Sequence, residues 1–107
     1  MFTAIVNGNG TFYKDGTERL YLHVNKNEGR DLPYLDGQRV PITLVIGGTE
    51  YAGALGARAD YPYIYVASEL RDEAGVAHTQ TSLLLANGLC KGDRVSLSAS
   101  GTRLVLG

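Results

Sequence analysis

The chain is patterned for strands. From Arg19 to Val24 apolar and polar positions alternate, with Leu20, Leu22 and Val24 on one face and Tyr21 and His23 on the other. A period of two is the mark of a strand with one buried face. Arg39 to Ile46 is the strongest strand, and Gly47-Gly48 turns it into Thr49 to Leu55, a hairpin. Phe2 to Val6 is a short apolar and β-branched run that stops at Asn7-Gly8-Asn9-Gly10, two consecutive Asn-Gly turn signals. Thr11 to Tyr13 forms a further short strand closed by Lys14-Asp15-Gly16. Asn25 to Asp36 is polar and reads as a loop with at most one helical turn, and Gly56 to Pro62 is a second loop, followed by a strand from Tyr63 to Val66. Ser68 to Ala74 predicts a short helix capped by Ser68 and ended by Gly75, with Glu69, Asp72 and Glu73 on its solvated face. A second short helix is expected over Ser82 to Ala86, with Asn87-Gly88 as its stop. Gly92-Asp93 then leads into Arg94 to Ala99, and Ser100-Gly101 turns that strand into Thr102 to Leu106.

Within this pattern a strand–connector–hairpin unit occurs twice. Tyr21-Leu22-His23-Val24 is echoed by Tyr63-Ile64-Tyr65-Val66, Asp36-Gly37-Gln38-Arg39-Val40-Pro41-Ile42 by Lys91-Gly92-Asp93-Arg94-Val95-Ser96-Leu97, and Gly48-Thr49-Glu50-Tyr51 by Gly101-Thr102-Arg103-Leu104. The connector is longer in the second copy. Closely spaced strands with turn residues between them predict an all-β fold with two short helices. The expected architecture is a small closed or nearly closed pseudobarrel of about seven strands, with an internal pseudo-two-fold repeat, in a single domain over residues 1–107.

Composition mainly excludes. The net charge of −1 rules out a nucleic-acid reading based on bulk basicity, and neither half of the chain is a basic arm. The single cysteine, Cys90, cannot form an intramolecular disulfide; it suits a reducing compartment, and a cytoplasmic location is expected. No apolar stretch approaches the roughly 18 residues a membrane span needs, so no membrane partner is expected. Catalysis finds little support. There is no Gly-x-Ser-x-Gly, phosphate loop or dinucleotide fingerprint, and no Gly-Ser step for self-processing. His23 reads as an exposed or cross-strand packed imidazole, His78 as part of a polar connector without an acidic neighbour, and Cys90 as a small buried residue. These three lack paired ligand spacing, so neither a metal, a cofactor nor an enzymatic activity is expected.

The stretch Leu85 to Leu97 contains Asn87, Leu89 and Gly92-Asp93 in the spacing Asn-x-Leu-x-x-Gly-Asp. It resembles the corresponding block of the plant-type DNA-binding pseudobarrels, the superfamily of the B-three domains of plant transcription factors and the effector domains of some restriction endonucleases. Gly48-Thr49-Glu50-Tyr51 is similar to that family's hairpin, with Tyr51 where Trp is common, and the family's Gly-Trp step is replaced by Ser68-Glu69-Leu70. By strand order the resemblance spans Leu20 to Leu106; it is sharp over Asn87 to Val95. Double-psi and swapped-hairpin barrels share the Gly-Asp turn more weakly. Independently of any family, the Asp93 carboxylate is expected to accept backbone N–H bonds in its own turn.

The resemblance implies a non-catalytic module that grips duplex DNA with two rim loops, as a regulator or as the specificity domain of a restriction–modification system. By position, the first arm would draw on Lys14, Arg19, Lys26, Asn27 and Arg30, and the second on Arg58, Asp60 and Tyr61. Arginine can pair with guanine, asparagine with adenine and aspartate with cytosine, while lysines and tyrosine hydroxyls hold phosphates. The alternative is a barrel that binds a protein or small ligand and has no nucleic-acid role. Tyr61, Tyr63 and Tyr65 share one strand face: exposed, they suit a partner surface or stacked bases; buried, they line the barrel. A homodimer through an edge strand is also open.

Overall fold

The alternation seen in the sequence becomes the wall of a barrel. The computed structural model describes residues 1–107. Its strands are β1 (Phe2–Phe12), β2 (Glu18–Asn25), β3 (Arg39–Ile46), β4 (Thr49–Ala57), β5 (Tyr63–Val66), β6 (Glu69–Arg71), β7 (Ala77–Thr79), β8 (Arg94–Ser100) and β9 (Arg103–Leu106), with one helix, α1 (Gln80–Ala86), between β7 and β8. Every second residue of β2, β3, β5 and the first half of β1 points inward. Val6, Leu20, Leu22, Val24, Ile42, Leu44, Ile64 and Val66 share one core with Leu97 and Leu104 from β8 and β9. No helix is long and apolar enough to cross a membrane.

Seven strands close the barrel in the order β3-β9-β8-β1-β2-β5-β4 and back to β3. Six of the seams are antiparallel; the closing seam is the parallel pair β3–β9, from Thr43↔Arg103 to Val45↔Val105. A two-fold axis through β9 and between β2 and β5 exchanges β2 with β5, β3 with β8 and β1 with β4, with strand directions reversed as the operation requires. The first two repeated sequence blocks lie on exchanged strands. The third does not, because β9 sits on the axis while β4 is exchanged with β1; Gly48 and Gly101 match only as hairpin turns.

Three local expectations change. Asn7-Gly8-Asn9-Gly10 does not end a strand, and the strand expected over Thr11 to Tyr13 is not a separate one: β1 runs through to Phe12, with a register shift against β2 between Gly8 and Phe12. The Asn9 carboxamide accepts from Thr11 N–H (3.0 Å) and Gly10 takes φ +77°. The turn chemistry thus makes a bulge that bends the strand. Ser68 to Ala74 is not helical, so the fold has one short helix. Glu69–Arg71 is β6, paired with β7 and touching β4 at Ala52↔Arg71, and Leu70 is fully buried. A segment this short takes its structure from its surroundings, and here the edge of β4 offers ready hydrogen-bond partners and Leu70 a place in the core. Asp72 then closes the β6–β7 turn, its carboxylate accepting from Ala74 N–H (3.0 Å) and Val76 N–H (2.9 Å), with Gly75 at φ +80°.

The segment that carries the resemblance is used for folding. α1 is capped by the Thr79 hydroxyl, which accepts from Ser82 N–H at 3.1 Å. It ends with Gly88 N–H donating to Leu85 O (3.0 Å) and Leu89 N–H to Leu84 O (3.0 Å), Gly88 being left-handed at φ +76°. That is a Schellman stop, with Leu89 packed against the core. Asp93 accepts from Cys90 N–H (2.7 Å) as expected, and the turn is fixed to β1 by Gly92 N–H to Val6 O (2.7 Å) and Val6 N–H to Asp93 O (2.9 Å).

At the start of α1, two buried polar side chains take the place of a missing strand. β5 ends at Val66, so the first half of β2 has no neighbour on that side. Gln80 fills the gap: Leu22 N–H donates to its Oε1 (2.7 Å), and its Nε2 donates to Val66 O (2.9 Å) and Ala67 O (3.3 Å). Thr81 Oγ1 accepts from Leu20 N–H (2.8 Å) and donates to Leu20 O (3.3 Å). Buried backbone groups need partners, and here side chains supply them.

Candidate functional site

Because Leu20, Leu22, Val24, Ile64 and Val66 point into the barrel, the intervening residues of β2 and β5 point out. That outer wall is aromatic. Tyr61 and Tyr63 stack with ring centroids 5.1 Å apart and planes 16° apart; Tyr63 lies 5.1 Å from His23 and 6.3 Å from Tyr21, and Tyr65 meets Tyr63 edge-on at 6.5 Å. The three tyrosines are half-buried on the outside, so they do not line the barrel interior. Tyr65 also lies over Gly56, its register partner on β4, where a Cβ would collide with the ring. Gly56 is needed for space, since its backbone is not left-handed.

These rings form the floor and one side of a groove of about 270 Å³. Tyr13 and Arg19 enter it from the β1–β2 end and Arg39 from the start of β3. No carboxylate is among the lining residues. The Arg19 guanidinium lies over the Tyr13 ring, 4.7 Å from its centroid, and neither Arg19 nor Arg39 makes an ion pair. Burial, and then the Tyr63 phenol beside it, push the Tyr21 phenol up to about 12.

The eight residues expected at a DNA interface fall into two groups. Lys26, Asn27 and Arg30 lie in the loop after β2, and Arg58, Asp60 and Tyr61 in the loop after β4; both loops leave the same end of the barrel. They are tied together. Lys26 N–H donates to Pro62 O (3.0 Å), and Lys26 Nζ donates to Arg58 O (2.6 Å) and pairs with Asp36 (2.7 Å). Lys26 is therefore a clasp between loops rather than a free cation. Arg58 forks onto both Asp60 oxygens at 3.1 Å and stacks on Tyr61 at 4.7 Å. Arg30 and Asn27 are exposed, and Arg30 makes no ion pair. Lys14 and Arg19 lie at the other end of β2, away from these loops; Arg19 borders the tyrosine wall and Lys14 does not.

Sequence reasoning missed Arg39, Tyr13 and Tyr21 as parts of this wall. Tyr21 was within reach, because its alternation opposite Leu20 and Leu22 already placed it outside. Arg39 was not, since only the register Arg39↔Gly56↔Tyr65 brings it there.

His23 packs between strands as expected. Its Nδ1 is buried without a hydrogen-bond partner, and burial holds the imidazole below the ordinary histidine value. With the folded pKa depressed, the unfolded chain binds the proton more readily. The stability this contributes is complete above the unfolded value, about 6.5, and is lost as pH falls from there through the folded value. We expect the wild type to lose stability relative to His23→Phe when urea midpoints are compared at pH 7.5 and pH 5. Parallel pH profiles would refute the assignment.

The other polar candidates have structural explanations. His78, expected without an acidic neighbour, sits on β7 with its Nε2 2.8 Å from Asp72 Oδ2 and its ring edge-on to Tyr51. The hairpin β6–β7 creates the pair. His78 is the leading cause of a lowered Asp72 pKa, followed by the Val76 N–H. Cys90, expected to be buried, is exposed, because the turn before Asp93 lies outside the barrel and Leu89 alone turns inward. No group of three or more His, Cys, Asp or Glu residues could hold a metal ion. A scan against protein-family models and searches of curated proteins and of solved structures returned no significant match to this chain.

Proposed function

We propose that this barrel is a non-catalytic DNA-binding module, related to the B-three-type pseudobarrels, that receives duplex DNA on the two loops after β2 and β4. The observation that carries the reading is the fastening of those loops to each other at one end of the barrel, with Asn27, Arg30, Arg58 and Asp60 exposed on them. Loops held on a rigid wall can enter a groove without a large ordering cost, and these residue types match base edges and phosphates. The Asn87–Val95 resemblance supports the same reading. Lys26 holds the loops, Arg30 meets phosphate, and Arg58, oriented by Asp60 and Tyr61, reads a base edge. Few free cations imply modest affinity and a shallow salt dependence.

A mobility shift with random-sequence duplex at low salt tests this. A retarded band is expected below about 50 µM protein, within the usual range of non-specific affinities. No shift at that concentration sinks the reading. It would leave the second one, a protein-binding barrel, which the net charge of −1 and the tyrosine-rich wall favour.

A further inference from the structure

The groove on the outer wall is too small and too concave for a duplex. At about 270 Å³ it lies just below the usual range for small-molecule sites, which is the scale of one ring system and its substituents. A paired base is shielded inside its stack and cannot enter such a space; an unpaired base can.

The lining has the chemistry for that occupant. Tyr63 and Tyr65 offer an aromatic surface already ordered by packing on each other and on Tyr61 at 5.1 to 6.5 Å, while Tyr61 itself is engaged by Arg58, so packing a base there costs little side-chain entropy. Arg19 is ordered over Tyr13, Arg39 stands beside Tyr65, and neither spends its charge on a carboxylate. On a chain of net charge −1, a groove with two uncommitted guanidinium groups and no acid is a local anion site.

We infer that this groove takes one unpaired nucleotide of a bound strand, its base packed against the Tyr63–Tyr65 surface and its phosphate held by Arg19 and Arg39. The inference rests on the nucleic-acid reading above and adds a preference for interrupted duplexes. The loops hold the double-stranded flank; the wall reads the displaced base.

The test compares affinities, by fluorescence anisotropy, for a perfect duplex and for the same duplex carrying a single bulged nucleotide. The bulged duplex is expected to bind at least tenfold more tightly. Tyr63→Leu and Arg39→Gln should each abolish most of that preference, and with Arg39→Gln, which lies on neither of the two loops, the perfect duplex should bind as before. Arg39 is exposed and unpaired, so its variant folds even if loss of Tyr63 disturbs the wall. Equal affinities for the two duplexes overturn the inference and leave the duplex reading standing. A preference that survives Arg39→Gln and Tyr63→Leu overturns the assignment to this groove. Binding to neither duplex overturns the inference and the reading beneath it together.

Discussion

Replacing Gln80 with Leu is expected to destabilise the barrel by about 3–5 kcal/mol, although the volumes are similar and the position is fully buried. Hydrophobic burial is not what this side chain supplies. Its Oε1 is the partner of Leu22 N–H, and its Nε2 the partner of Val66 O and Ala67 O. A leucine would remove the partner of one buried donor and of two carbonyls, the 2.9 Å bond to Val66 O being the closer, and each group left unpaired costs about 1–3 kcal/mol. Against a domain stability of about 5–15 kcal/mol, that is a large fraction. Gln80→Glu should also be harmful, since a second oxygen would face two carbonyls. Its defect should ease at low pH, where the acid is protonated and can donate. Urea unfolding followed by far-ultraviolet circular dichroism measures both variants. A loss under 1 kcal/mol for Gln80→Leu would mean that water or a shifted strand satisfies β2, and the role assigned to Gln80 would fall.

The second large effect concerns binding. Arg30→Ala combined with Arg58→Ala should weaken duplex affinity at least about a hundredfold, because each charged hydrogen-bonding side chain contributes about 1.5–3 kcal/mol where it meets its partner. The two arginines sit on different loops, so their losses should add. Loss of Arg58 also strips Asp60 of its fork, leaving a bare carboxylate among phosphates. The slope of log affinity against log salt should become shallower by about one to two units. Both side chains are exposed, so the thermal midpoint should scarcely move. An affinity within threefold of wild type, at unchanged stability, would remove both loops from the interface.

The two predictions differ in how visible their residues were beforehand. Arg30 and Arg58 stand in polar, glycine-containing stretches, and such stretches are readable as loops from composition alone. Gln80 lies in Thr79-Gln80-Thr81-Ser82, which carries no apolar period and no turn signal. It was legible only as the lead-in to a helix. Its partners are 58 residues away on β2 and 13–14 residues away at the end of β5. The same holds for Arg39, which strand register alone delivers to the tyrosine wall.

The sequence by itself determined the strands with strict alternation, the turns at Gly47-Gly48 and Gly101, the stop at Asn87-Gly88 and the single-barrel architecture. Those features depend on side-chain period and on backbone conformations that few residues adopt, and both are local properties. Only the tertiary structure decided that Ser68 to Ala74 pairs as a strand, that Asn7 to Gly10 bends β1 without ending it, and that the outward tyrosines of β2 and β5 meet two unpaired arginines in one groove. Each of these depends on which strand edge lies alongside, and edges distant in the chain become neighbours only when the barrel closes.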